Sequence, residues 1–166
     1  MQLKNKKKLF FNGLIIITIF LLDRISKLYV INLAEINNTV DIYLTKYLNI
    51  YLIWNEGIAF GLLNFQQNGL YNLITYVIAI IIVVVLIMLI KTNDIRVYFY
   101  ACILGGAIGN LFDRYYYSAV PDFIDLHVNN FHWFIFNIAD IFITIGVVCL
   151  ILVELIFNKY LKNEIK

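Results

Sequence analysis

Apolar positions along this chain come in long unbroken runs, with little of the alternation that marks a half-buried strand. Leu70 to Ile90 is 21 residues without a charge, matching the ~20 that a helix needs to cross the hydrocarbon core of a bilayer. A first run, Leu9 to Leu22, passes through Asp23-Arg24-Ile25-Ser26-Lys27 into Leu28-Tyr29-Val30-Ile31. A third covers Val97 to Phe112, and a fourth covers Trp133 to Val153, interrupted only by Asp140. Lipid offers the backbone no hydrogen-bond partners, so runs of this length are read as helices. Spans are expected at about 9–29, 70–90, 97–113 and 134–155, with connections at about 30–69 and 114–133. Within the connections, the β-branched and aromatic stretch Tyr47 to Trp54 predicts a strand, and Phe123 to Trp133 a second. Gly57 to Gln67 predicts a short amphipathic helix on the membrane surface. The expected fold is an all-α membrane protein: four transmembrane helices with a small extracytoplasmic β-cradle and a short interfacial helix, in one domain over residues 1–166.

Composition strengthens this picture. Apolar residues make up 62% of the chain and charged residues 14%, against ~45–50% and ~25% in soluble domains. A soluble enzyme of 166 residues cannot hide so much hydrocarbon, and a chain with 16% aromatics is not disordered. A net charge of +2 is too mild to imply a nucleic-acid partner. The distribution of charge is more informative. Nine of the thirteen Lys and Arg residues lie at the amino end, between Lys91 and Arg96, or at the carboxyl end. The positive-inside rule then puts both termini in the cytoplasm and the two larger connections outside. The first run resembles a signal peptide but leads straight into charged residues with no small-residue cleavage site, so an uncleaved anchor is expected. Cys102 and Cys149 lie within apolar runs and read as small buried hydrophobes.

Ionisable residues inside a membrane are expensive and point to function. Asp140 is the deepest, seven residues into the fourth run, or ~10 Å along a helix axis. Asn137 shares its helix face. Asn110, Asp113 and Arg114 end the third run, and Asp122 and Asp125 follow in the second outer connection. Asp23 and Lys27, at i and i+4, form a candidate ion pair at the end of the first span. His127 and His132 are too few for a metal site unless carboxylates join them, and no cofactor or metal is expected. Neither serine nor cysteine has the partners of a nucleophile. A pair of carboxylates remains: two Asp sharing one proton can hydrolyse an amide, one activating water and the other polarising the carbonyl. Which of Asp113, Asp122 and Asp125 would partner Asp140 stays open on this reasoning. The Gly105-Gly106-Ala107-Ile108-Gly109 run allows close helix packing that brings Asn110 and Asp113 towards Asp140. A small ion- or proton-coupled transporter with Asp140 in a polar relay is the alternative, and a structural or lipid-binding protein a third.

Five blocks carry a family resemblance. Leu22-Asp23-Arg24-Ile25-Ser26-Lys27, Asn55-Glu56-Gly57-Ile58-Ala59-Phe60, Gly105 to Arg114, Val120-Pro121-Asp122-Phe123-Ile124 and Phe136-Asn137-Ile138-Ala139-Asp140 stand in order over residues 22–140. They are similar to the signature blocks of bacterial lipoprotein signal peptidase. The resemblance implies Asp122 and Asp140 as the catalytic pair and Asn55, Asn110, Arg114 and Asn137 as polar substrate contacts, with Asp23, Lys27 and Asp113 supporting the site. Arg24, often an uncharged polar residue in the family, and Pro121, at a variable position, are departures. The implied reaction is cleavage of lipidated prolipoproteins on the amino side of a diacylglyceryl-modified cysteine. The implied setting is the bacterial plasma membrane, with the active site on the extracytoplasmic side and the chain working as a monomer among membrane lipids.

Overall fold

A computed structural model describes residues 2–57, 68–129 and 131–164. Helix α1 (Gln2–Asn37) leads to strands β1 (Asp41–Thr45) and β2 (Leu48–Asn55). Helices α2 (Asn68–Lys91) and α3 (Arg96–Tyr117) follow, then strands β3 (Val120–Val128) and β4 (Phe131–Phe136), and helix α4 (Ile138–Glu164). The interfacial helix expected at Gly57–Gln67 falls almost wholly on residues 58–67, outside the described residues.

The surface of the helices is that of a membrane protein. Tyr71–Lys91 in α2 and Ile138–Phe157 in α4 are long and apolar enough to cross a bilayer. Their large apolar side chains point outward, among them Tyr76, Ile80 and Ile90 on α2 and Ile151 and Leu155 on α4. Water would not tolerate so continuous an exposed apolar face. Helices α1 and α3 instead carry charges, Asp23, Arg24 and Lys27 on one and Asp113 and Arg114 on the other, and all five are buried.

Helix α3 packs against each of the other three helices, and its glycines set how closely. A Cβ on Gly106 would lie 2.4 Å from the Ala139 carbonyl oxygen, and one on Gly109 would lie 2.6 Å from Asp23 Oδ2. Only a residue without a side chain lets α3 meet the start of α4 and the carboxylate of α1 this closely. Leu89, Val97, Tyr100, Ala101 and Leu104 form an apolar cluster between α2 and α3. A second, Val30, Val40 and Phe123, fastens the sheet to the end of α1. At that end Asn38 takes φ 64°, a left-handed conformation that asparagine tolerates and that stops a helix.

The four strands pair antiparallel in the order β1-β2-β3-β4. The strand expected at Tyr47–Trp54 is β2. The single strand expected at Phe123–Trp133 is instead a hairpin, because Asn129 turns the chain at φ 52° and sends β4 back along β3. The sequence reading did not anticipate β1, whose five residues are all exposed and therefore carry no burial pattern. Register matters most between β2 and β3, where Ile53 pairs with Asp122 and Asn55 with Val120.

The two ends of the molecule differ in kind. At one end Lys8 Nζ donates to the Thr92 carbonyl and to Asn93 Oδ1, and Arg96 pairs with Glu154 at 3.5 Å. The amino end of α1, the α2–α3 connection and the later part of α4 therefore lie together. The sheet, Asp122 and Asp140 occupy the other end.

Candidate active site

Asp122 sits in the buried first half of β3 and is 1% exposed. Both of its oxygens accept hydrogen bonds from amides on flanking elements. Asn55 Nδ2, at the end of β2, donates to Oδ2 at 2.8 Å, and Asn137 Nδ2 donates to Oδ1 at 2.6 Å. Asn137 also starts α4. Its Oδ1 accepts the Asp140 backbone N–H at 3.1 Å, while Asp140 Oδ2 accepts the Asn137 N–H at 3.2 Å. This reciprocal cap satisfies helix donors that would otherwise lack partners. It also locks Asp140 in the first turn of α4, not seven residues into a helix as expected from sequence, because the fourth apolar run begins as strand β4 and turns helical only at Ile138. One asparagine thus touches both carboxyl groups.

Behind Asp140 lies a cluster of buried charges. Asn110 Nδ2 donates to Asp140 Oδ1 at 2.8 Å, and Asn110 Oδ1 accepts from Lys27 Nζ at 2.9 Å. Lys27 spends its other two protons on Asp23 Oδ2 at 2.9 Å and Asp113 Oδ2 at 2.6 Å. Asp23 Oδ1 in turn accepts the Ala139 N–H at 3.1 Å, one residue before Asp140. Arg24 closes the set, 2.5 Å from Asp113 Oδ1 and 3.2 Å from Asp23 Oδ2. Two cations and two carboxylates balance, which is the condition for keeping charges out of water. The i, i+4 pair of Asp23 and Lys27 is therefore real, but its role is wider than anchoring a helix end.

A cavity of about 250 Å³ opens beside both aspartates. Asn55, Asn110, Arg114, Asp122 and Asp140 supply its polar wall; Ile78, Ala107, Val120 and Ile143 supply an apolar one. Arg114 donates to the Gly57 carbonyl, and its guanidinium lies over the Tyr71 ring at 5.4 Å. Burial, and then the neighbouring Asp140 carboxylate, push the Asp122 carboxyl up to about 7, against the pull of its hydrogen bonds from Asn55 and Asn137. Side by side, two such groups cannot both ionise readily. Near neutral pH Asp122 can therefore keep its proton beside a second carboxyl, and a carboxyl pair with one protonated member is able to activate water against an amide.

Of the residues singled out from sequence, Asn55, Asn110, Arg114, Asp122 and Asp140 share this cavity, and Asn137 bridges the two aspartates. Asp23, Lys27 and Asp113 form the cluster behind it. Asp125 joins His127 and His132 on the hairpin. Arg24, a departure from the family pattern in the sequence, proves to be a full member of the charge cluster. Its signal was a second basic residue at the end of an apolar run, one turn from Lys27.

Comparison with known proteins agrees with this geometry. The family model described as signal peptidase II matches residues 15–157. A lipoprotein signal peptidase of Pelagibacter ubique is 55% identical over 160 residues, 96% of each chain. One from Anaplasma phagocytophilum is 40% identical, covering 86% of this chain and 91% of the relative. One from Francisella tularensis subsp. novicida is also 40% identical, over 70% of this chain and 74% of the relative. Two solved structures, each described as a bacterial membrane enzyme, superpose with TM-scores of 0.67 and 0.68. Both are 28% identical and cover 87% of this chain, and 87% and 92% of theirs. The chain belongs to the signal peptidase II family, and is an intramembrane aspartic peptidase that removes signal peptides from lipoproteins.

Proposed function

We propose that Asp122 and Asp140 are the catalytic pair, and that they cut the signal peptide on the amino side of a diacylglyceryl-modified cysteine. The observation that carries this reading is that the two carboxyl groups line one cavity and share one bridging amide, Asn137, with the Asp122 carboxyl raised to about 7. One carboxylate takes a proton from water while its protonated partner polarises the scissile carbonyl. Asn55, Asn110 and Asn137 hold the pair, and Arg114 orients the peptide beside it. Asp23, Lys27 and Asp113 fix Asn110 and the start of α4. All of these groups come from a single chain, which supports a working monomer.

The four helices span the bilayer at about 9–29, 70–90, 97–113 and, since residues 131–136 are strand β4, from Ile138 rather than 134 to about 155, in one domain. The basic amino end, the α2–α3 connection and the carboxyl end face the cytoplasm. The sheet and the aspartates then face outward in the plasma membrane, where acyl chains hold a lipidated cysteine. Each buried CH₂ is worth ~0.8 kcal/mol, so two chains fix the scissile bond at one depth and turn a search in solution into an approach in the membrane plane.

Matched precursors with and without the diacylglyceryl group, cleaved by the native protein and by Asp122→Asn and Asp140→Asn, test both parts. Each variant should insert normally and lose nearly all turnover, because the pair acts as a unit. Asn137→Ala should lose less. Near-native cleavage by either aspartate variant would sink the pair; equal kcat/KM on the two precursors would overturn the lipid requirement.

A further inference from the structure

The β3–β4 hairpin carries a second constellation, outside the lining of the cavity beside Asp122 and Asp140. Asp125 Oδ2 lies 2.8 Å from His132 Nδ1 and 3.6 Å from His127 Nδ1. The two imidazole rings stand 5.5 Å apart at 31°. His127 and His132 are cross-strand partners on either side of the Asn129 turn. A carboxylate has thus joined two histidines, which is the condition that sequence alone could not supply.

Two atoms here need a partner. Asp125 is 0% exposed and its Oδ1 has no hydrogen bond; His127 is 8% exposed and its Nδ1 has none. Buried donors and acceptors in proteins are nearly always satisfied. Asn49, the β2 partner of Asp125, adds a third buried and unsatisfied polar atom, its Oδ1, at the same level of the sheet.

We propose that Asp125, His127 and His132 form a binding site for one borderline divalent metal ion of the zinc(II) class. Two imidazole nitrogens and one carboxylate oxygen suit such ions, whereas calcium and magnesium need a shell of oxygens. The three donor atoms lie within 4.8 Å of one another. Tetrahedral zinc with bonds of ~2.0–2.1 Å holds its donors about 3.4 Å apart. The remaining closure falls to His132, whose side chain is 51% exposed and free to adjust. The same exposure gives the ion its route in and leaves room for water as the fourth ligand. Bound there, the ion clips β4 to β3 three residues beyond Asp122, stiffening the strand that carries it without touching the catalytic pair.

The test uses the full-length, tag-free protein in detergent micelles. It is titrated with zinc chloride by calorimetry and with cobalt(II) as an absorbing stand-in. One equivalent should bind per chain, cobalt should give the visible bands of a tetrahedral site, and zinc should raise the melting temperature. His132→Ala, at an exposed position that does not threaten folding, should weaken zinc binding at least about 100-fold. The His127→Ala/His132→Ala double variant should bind none and lose the thermal shift. No saturable binding by the native protein, or equal binding by the double variant, would show that Asp125 and His132 merely share a hydrogen bond.

Discussion

Asp122 carries its chemistry in how tightly it holds a proton. Its carboxyl rises from an ordinary 3.8 to about 7 because it is buried beside Asp140. Between those values the unfolded chain is ionised there while the folded protein keeps its proton, so the folded state binds more protons and stability falls as pH rises. A shift of this size sets an upper bound on the order of 4 kcal/mol, present in full below the unfolded value and lost by the time pH passes 7. Melting temperatures at pH 5.5 and pH 8 should therefore differ more in the native protein than in Asp122→Asn. The difference is the proper readout, since an amide at 122 presents an NH₂ group to one of two donors that now bond a carboxylate. Cleavage should decline above pH 7 as the pair loses its shared proton. Asp140 was legible in the sequence as the lone charge in an apolar run, with Asn137 three positions before it, but its depth was not, because the start of that run is strand β4. Asp122 was singled out from Asp113 and Asp125 only by family resemblance. Its place depends on the β2–β3 register that sets Ile53 opposite it, and no local pattern encodes that pairing.

Helix α3 is the element on which the site's spacing depends. Gly106→Ala would drive a Cβ against the Ala139 carbonyl, part α3 from the start of α4, and pull Asn110 away from Asp140. Overpacking of this kind costs about 1–3 kcal/mol, and cleavage should fall with the melting temperature. Gly13→Ala on α1 is the control, since nothing lies within 4 Å of a Cβ there. It should leave both measurements unchanged or slightly raised. The glycine run announced close packing from sequence, and long apolar runs announced the helices. The sheet was harder to read. The hairpin in 123–133 depends on one asparagine adopting a left-handed turn, and β1 lies at an edge with no buried face to give it a pattern.

Across the whole molecule, Lys8 and Arg96 at one end and Asp122 and Asp140 at the other define an axis. With Cys102 and Cys149 replaced, a membrane-impermeant thiol reagent applied to intact cells should label Lys46→Cys, in the exposed β1–β2 turn, and spare Asn93→Cys. The opposite pattern would reverse the proposed orientation. The charge cluster lies beyond any local reading of sequence, because Lys27 meets Asp113 across 86 residues. That separation bears on how the protein is made. A ribosome delivers Asp23, Arg24 and Lys27 long before Asp113 exists, and until then one carboxylate stands against two cations near the end of α1. Helix α3 brings the balancing carboxylate, Asp113, and Asn110, which holds Asp140, arrives on that same helix. The contacts that hold Asp140 are therefore complete only once α3 and α4 both lie against α1.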